Sequence, residues 1–501
     1  MSLLFLLSAF AISTCGLIYE LVNGALASYL LGDSVTQFST VIGVYLFAMG
    51  IGSYLTRFVR GHLALTFVAM EILVGVVGGF SSALLFVLFA HVTHFRVVLY
   101  LLVALTGTLV GAEIPLLLRI LEGQFAFKDL VSKVFTFDYV GALLASILFP
   151  LVLVPHLGMI RTSLFFGILN VVVALIAIQV LGKHSKGHQA LRATAVFALI
   201  ALIVGFAASD RLEAFGEAGV FPGQTIFAKT TPYQRILITR QENDIRLFLN
   251  AHLQFSSRDE YRYHEALIQP GLNSLENPAN VLVLGGGDGM AVREILKHPK
   301  VQSVTLVDLD AEMTRIFSKI DHFRDLNKGA FLDSRVKVIN TDAFIWLKDH
   351  PDLRFDYVVL DFPDPANYSI GKLYTVTFFR LLHQALAENG AVVIQSTSPL
   401  AARKSYWCVA HTLAAAGFSF VTPYHVYVPS FGEWGFVLGT NTSFRSPTEY
   451  VAGLRFIDAH NFATMLNFPP DMSEVATEVN RLNNQYLVRY YEAEWSEFMV
   501  N

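Results

Sequence analysis

The pattern of apolar and polar positions changes character near residue 208. Upstream, long apolar runs recur between short polar stretches. A run of roughly 20 residues is what a single α-helix needs to cross a bilayer core about 30 Å thick. The runs predict seven spans, near 3–31, 35–56, 63–90, 97–118, 134–155, 162–182 and 192–208. The first is too long for a removable signal peptide and lacks a cleavage-site flank. Small residues recur at helix-packing spacing, as in Gly43, Gly50 and Gly52 or Gly75, Gly78 and Gly79, which predicts close helix contacts. Downstream the rhythm shortens. Arg235-Ile-Leu-Ile-Thr and Ile245-Arg-Leu-Phe-Leu-Asn alternate in polarity around Glu242-Asn243-Asp244, a hairpin turn in a small β region over 221–255.

From residue 279 apolar runs alternate with helical segments, the pattern of βαβ units and a parallel sheet. Strands are expected at Val281–Leu284, Ser303–Val307, Val336–Asn340, Tyr357–Leu360, Ala391–Gln395, Phe418–Thr422 and Gly435–Gly439. Asn480–Tyr491 reads as a helix of mixed polarity with no chemistry assigned. The expected architecture is an all-α transmembrane bundle of about seven spans over 1–208. A small β-hairpin domain with its connecting helix follows over 221–278, then an α/β Rossmann-type, methyltransferase-like domain over 279–501.

Charge sharpens the division. Charged residues make up 15 % of the chain, against about 25 % in ordinary soluble proteins. Only 17 of the 76 fall in residues 1–208, where the net charge is +3, while the remainder carries −7. An acidic soluble part repels phosphates, so no nucleic-acid partner is expected. Two cysteines, Cys15 and Cys408, exclude a disulfide framework and a cysteine-built metal site, and no metal is expected. Four carboxylates, Glu20, Glu71, Glu113 and Asp138, fall in or near the apolar spans. Each needs a partner, a polar cavity or the interface, and a cation route through the bundle would use such groups.

Orientation gives conflicting signals. Eight Lys and Arg between Arg57 and Arg192 lie in the loops after the second, fourth and sixth spans, against Arg96 and Arg161 in the loops opposite. Positive-inside logic would then put the soluble part outside the cell. The nucleoside substrate inferred below is made in the cytoplasm, which favours a multi-pass cell-membrane protein with a cytoplasmic catalytic face.

The chemistry sits at strand ends. The first strand of the α/β domain runs into Gly285-Gly286-Gly287-Asp288-Gly289, where glycines let backbone approach a ligand. The second ends in Val307-Asp308-Leu309-Asp310, a carboxylate placed to bridge ribose hydroxyls. The third ends in Thr341-Asp342-Ala343, an acceptor suited to an adenine amino group, and the fourth in Leu360-Asp361-Phe362-Pro363-Asp364-Pro365. Asp288, Asp308, Asp342, Asp361 and Asp364 thus share one rim. Such a rim suits a ligand with several positive centres and repels a dinucleotide pyrophosphate, which excludes a nicotinamide dehydrogenase.

With these residues in view, the chain resembles the polyamine aminopropyltransferases, the spermidine synthase family, over roughly residues 221–440. The resemblance is carried by Tyr233-Gln234, by Leu249–Gln254 with Arg258–Glu265, and by the strand-end motifs. Leu373-Tyr374-Thr375 and Pro429–Phe436 complete it. It implies decarboxylated S-adenosylmethionine as co-substrate, no permanently bound cofactor, a diamine or polyamine as partner, and a homo-oligomer. The N-terminal bundle resembles the multi-spanning extension of membrane-bound members, with lipid as its partner.

By the same resemblance Gln234 and Asp308 hold the nucleoside, with Gly285 and Gly287 beside it, and Asp342 and Ala343 meet the adenine. His264 and Asp288 contact the aminopropyl or polyamine chain, Asp361 accepts the proton, and Asp364 and Gln254 line the amine pocket. Tyr263, Tyr374 and Trp434 offer aromatic faces to a cation, with ordinary packing as the alternative. The chain departs from the family in having Asp308 for Glu, Ala343 for Gly, Val428 for an aromatic before Pro429-Ser430, and a different loop over 366–371. The last two fall in the amine pocket. Two other functions fit parts of the pattern: an S-adenosylmethionine-dependent methyltransferase, and a polyamine transporter or sensor whose soluble domain binds without turnover.

Overall fold

Hydrogen bonding within apolar runs leaves the first part of the chain helical. The computed structural model describes residues 2–31, 34–89, 91–92, 94–122, 127–181, 186–218 and 221–500. The expected span ends at 90 and 182 and the loop around Lys183 lie outside the described residues. Two compact units form, Met1–Gln234 and Arg235–Asn501.

The first unit contains the long helices Ser2–Leu31, Ser34–Leu55, Leu63–Phe89, Phe95–Leu121, Phe127–Leu148, Val154–Leu181 and Lys186–Ala207. Six helical stretches among the described residues, not seven, are long and apolar enough to cross a membrane. The expected fifth and sixth spans lie in one run, Lys128–Gln179, because helical bonding continues through a wider turn at Phe149–Leu153. Within it only Gly158, at φ 73°, leaves the helical region. At 1.5 Å per residue such a run would extend about 78 Å if straight, so the break at Gly158 divides a stretch too long for one crossing.

The glycine stripes pack unevenly. A Cβ at Gly52 would stand 1.9 Å from the Thr108 carbonyl oxygen, and one at Gly75 2.9 Å from that of Gly167, so helix backbones touch there. Gly43 and Gly50 face open space instead. A strand, β1 (Gln224–Thr230), lies near the end of this unit.

The second unit opens with three antiparallel strands, β2 (Arg235–Gln241), β3 (Asp244–Leu249) and β4 (His252–Ser256). The expected turn shortens to Glu242-Asn243. Asp244 joins β3, its carboxylate accepting from Arg246 Nε at 2.6 Å and Ser256 Oγ at 2.7 Å. After the helix Glu260–Asn273 come β5 (Asn280–Gly285), β6 (Ser303–Asp308), β7 (Val336–Asn340), β8 (Phe355–Asp361), β9 (Leu386–Gln395), β10 (Phe420–Val428) and β11 (Gly432–Thr440). They make one seven-stranded sheet in the order β10-β11-β9-β8-β5-β6-β7. Strands β5 to β9 are parallel, and β10 and β11 are antiparallel. Every strand expected from residue 279 onward is present.

The run Val281–Leu284 is uniformly apolar because both sheet faces are covered. Leu282 and Leu284 pack on the side of the helices Val376–Ala385 and Arg403–Ala415. Val281 and Val283 pack on the side of Glu260–Asn273 and Met290–Leu296.

The last helix runs Tyr486–Val500, later than the expected Asn480–Tyr491. Asn480 is fully buried and donates to the carbonyls of Gly371 and Tyr374 at 3.2 and 3.0 Å, while its own carbonyl receives the Val376 N–H at 3.0 Å. These distant partners hold it in a non-helical conformation that local periodicity does not reveal.

Candidate active site

From β5 the chain moves outward to β6 and β7, then returns to place β8 on the other side of β5. Connections leave these two central strands in opposite directions, opening a crevice at their carboxyl ends, where open α/β sheets bind ligands. Gly285 and Asp361 face each other in register at that point. Gly285 has φ 82°, and a Cβ on it would lie 2.3 Å from the Asp361 carbonyl oxygen. A Cβ on Gly287 would lie 2.7 Å from Asp308 Oδ2. Glycine at both positions therefore lets the loop close on the Asp361 backbone and on the Asp308 carboxylate. Asp288, in the same loop, is 9 % exposed and accepts the Met290 N–H at 2.9 Å where the next helix begins.

Burial dominates the electrostatics of this crevice. Asp361 is pushed up to about 6 by burial, with the charge of Asp288 adding and His264 and the Tyr263 hydroxyl opposing. That hydroxyl donates to Asp361 Oδ1 at 2.7 Å. Asp308 is raised to about 7, again mainly by burial, although it accepts the Asp310 N–H at 2.8 Å. Burial also raises Asp288, against the pull of His264.

His264 is 2 % exposed, and its Nδ1 donates to the Glu260 carboxylate at 2.8 Å. Burial opposes its charge, but Glu260 outweighs burial, Asp288 and Asp361 add to it, and the imidazole is raised to about 9. Glu260 in turn receives both terminal nitrogens of Arg293, at 3.0 and 2.8 Å. Its burial would raise it, yet His264 and Arg293 hold it down at about 2.

Asp364 is held from three sides. Gln395 Nε2 donates to Oδ1 at 3.0 Å, and the Thr397 and Tyr491 hydroxyls donate to Oδ2 at 3.1 and 3.0 Å. Burial nonetheless leaves its carboxyl above the ordinary range. Gln395 also receives Trp434 Nε1 at 3.1 Å, and the rings of Trp434, Phe431 and Tyr263 follow one another toward Asp361. Trp434 is thus an anchored wall residue, whereas Tyr374 is fully buried. The Pro429-Ser430 loop is tied to Asp259, which accepts the Ser430 N–H at 2.7 Å.

Asp288, His264 and Asp361 therefore form one interacting set, with Asp308 in reach through Asp288. Asp342 stands as the N-cap of the helix that Ala343 begins, and its second oxygen pairs with Lys372 at 2.7 Å. Burial would raise it, but Lys372 and the helix N–H groups hold it below the ordinary range. Gln254 lies on β4, its amide donating to the His252 carbonyl at 3.1 Å, and His252 feels the charge of Asp364. Gln234 is the last residue of the first unit, its N–H donating to Thr231 Oγ1 at 3.1 Å.

Sequence reading missed Gln395, Thr397 and Tyr491 around Asp364, and Glu260, Arg293 and Lys372 around His264 and Asp342. Lys372 carried a usable signal, as a cation beside Leu373-Tyr374-Thr375 facing a rim of aspartates. The C-terminal helix, assigned no chemistry, supplies Tyr491.

A model of the spermine/spermidine synthase domain matches residues 260–446. The chain is 52 % identical to a polyamine aminopropyltransferase of Leptospira interrogans over 98 % of its length and 99 % of that protein's. It is 53 % identical to polyamine aminopropyltransferase 2 of Ralstonia nicotianae, over 98 % of both chains. A solved spermidine synthase from Thermotoga maritima matches at 21 % identity and a TM-score of 0.45, covering 49 % of this chain and 84 % of that one. Likeness at this level over nearly whole chains makes the protein a member of the polyamine aminopropyltransferase family, and a transferase.

Proposed function

We propose that this chain transfers the aminopropyl group of decarboxylated S-adenosylmethionine to putrescine or a related amine, giving spermidine or another polyamine and methylthioadenosine. The observation that carries the reading is the grouping of Asp288, Asp361 and His264 at the switch point, beside Asp308. A primary amine resembles lysine, with a pKa of about 10.4, and arrives protonated at neutral pH. Its nitrogen becomes nucleophilic only on losing that proton.

Asp361 accepts it. Carboxyl burial, which raises Asp361 to about 6, narrows the gap in basicity to the amine while leaving the group ionised at neutral pH. The nitrogen lone pair forms the new C–N bond at the methylene beside the sulfonium. The C–S bond breaks with its electrons remaining on sulfur, which leaves as a neutral thioether. Asp308 holds the nucleoside against the loop of Gly285 and Gly287, and Asp342 with Ala343 borders the adenine. Asp288 and His264 meet the aminopropyl chain, and Asp364 with Gln254 the acceptor amine. A co-substrate bearing its own carboxylate would be repelled by Asp288, which disfavours methyl transfer from S-adenosylmethionine.

Purified protein given decarboxylated S-adenosylmethionine and a panel of amines should release methylthioadenosine. Asp361→Asn should lose at least about 10²-fold of that rate, the scale of general base catalysis. No release with any amine overturns the reading.

The six long apolar helical stretches support a multi-pass membrane location, and a co-substrate made in the cytoplasm favours residues 235–501 on the cytoplasmic side of the cell membrane. Protease digestion of those residues in inside-out but not right-side-out vesicles is the expected result.

A further inference from the structure

The interior of the helical unit holds polar groups that its own chain does not satisfy. Glu71 and Glu113 are fully buried, on the helices Leu63–Phe89 and Phe95–Leu121, with their carboxyl groups within hydrogen-bond reach of each other. Among the described residues no N–H or O–H donor reaches any of their four oxygens. Buried polar groups in folded proteins nearly always have partners, and a carboxylate inside an apolar bundle is costly without one.

The surroundings continue the polar character along one stripe. Gly75 and Gly78 follow Glu71 at one and two helical turns, and their missing side chains admit neighbours. A Cβ on Gly75 would lie 3.2 Å from the Asn170 Cβ, and one on Gly78 2.7 Å from the Tyr19 ring. Ser82 comes one turn further. Tyr19, Asn170 and Ser82 are each no more than 1 % exposed, and the Tyr19 hydroxyl, both polar atoms of Asn170 and the Ser82 hydroxyl have no hydrogen-bond partner among the described residues. Tyr19 is also within electrostatic reach of both glutamates.

A shared proton would serve the two carboxyl groups and leave Asn170 and Tyr19 unpaired. A metal ion finds no set of three His, Cys, Asp or Glu ligands among the described residues. An ammonium group brings one positive charge and several N–H donors, and its methylene chain matches the apolar helix walls. We propose that the Glu71 and Glu113 pair, with Asn170 and Tyr19, binds the ammonium end of an aliphatic amine inside the helical unit. This site lies in a different unit from the crevice. It takes its ligand class from the proposed activity, but is tested separately from turnover.

The probe is radiolabelled spermidine, in equilibrium dialysis against the full chain in lipid nanodiscs. Glu71→Gln with Glu113→Gln is expected to lower the number of spermidine molecules bound per chain by one, leaving methylthioadenosine release at its original rate and KM. Tyr19→Phe, which keeps the ring against Gly78, should weaken that same binding several-fold, and it carries the test if the double variant fails to fold. Unchanged stoichiometry and affinity in these variants overturn the proposal. So does loss of sodium binding or proton uptake with spermidine binding intact.

Discussion

In the α/β unit Glu265 is fully buried, and its carboxylate receives the backbone N–H groups of Arg455, Phe456 and Ile457 at 2.8–3.1 Å. Glu71 and Glu113 are as deeply buried in the helical unit and receive no donor among the described residues. The difference follows from where backbone donors are available. A helix interior spends its N–H groups on its own carbonyls, so a carboxylate among packed helices meets only side chains. A sheet with long loops leaves N–H groups unspent at strand ends and turns, and these can be aimed at a buried acid. The α/β unit therefore stabilises its buried charge internally, while the helical unit leaves two acids dependent on something it does not itself supply.

The most severe way to break that comparison is to remove one partner of a satisfied pair. Arg293 is 9 % exposed and holds Glu260 through both terminal nitrogens. Arg293→Met should cost about 3–5 kcal/mol of stability, because it strands a buried charge. All the tryptophans lie beyond residue 340, so their fluorescence reports melting of the α/β unit. Adding Glu260→Met should recover most of the loss. Glu71→Gln, which removes an acid without a donor, should leave helical melting by circular dichroism unchanged or raised. Equal destabilisation by Arg293→Met and Glu71→Gln would erase the contrast.

How far the sequence reveals such pairs depends on the range over which they act. The strand-end aspartates were readable because each lies just past a short strand-forming run, with glycine or proline beside Asp288, Asp361 and Asp364, and strand periodicity fixes where such runs stop. Seven strands and their rim followed from that alone. Tyr491 reaches Asp364 across 127 residues, and Thr397 reaches it across 33. No period or motif links such positions, because the contact is set by how the terminal helix returns to the sheet edge. The merged run Lys128–Gln179 was missed for the opposite reason. The apolar runs divide at the short stretch holding Arg161, yet helical bonding continues through it and only Gly158 leaves the helical region.

The comparison sharpens inside the crevice, where the carboxylates differ in how many donors they receive. Asp361 receives the Tyr263 hydroxyl, and burial leaves it titrating at about 6. As the proposed base it works in the ionised form, which exists above that value, so kcat/KM should fall as pH drops through about 6, by up to tenfold per further unit. The nearby Asp308, at about 7, steepens the fall. Bound cationic substrates favour ionised carboxylates, so the limb in kcat should lie at lower pH than the limb in kcat/KM. A kcat/KM profile flat from pH 8 to pH 5 would mean that Asp361 is not the base.

The smallest expected effect tests whether a well-supplied carboxylate tolerates losing one donor. Asp364 receives Gln395, Thr397 and Tyr491, so Tyr491→Phe leaves two of the three in place. The cost should be that of one hydrogen bond to a partly satisfied group, about 0.5–1.5 kcal/mol, or roughly two- to tenfold. Under the proposed assignment, in which Asp364 positions the acceptor amine, it should appear in the KM for that amine. It should not appear in the affinity for methylthioadenosine measured by calorimetry, since the proposal gives the nucleoside to Asp308 and Asp342. A loss divided equally between the two ligands would instead mean that Tyr491 acts on the fold of the whole rim. The terminal helix would then be a structural brace for the crevice, with no part in selecting the amine.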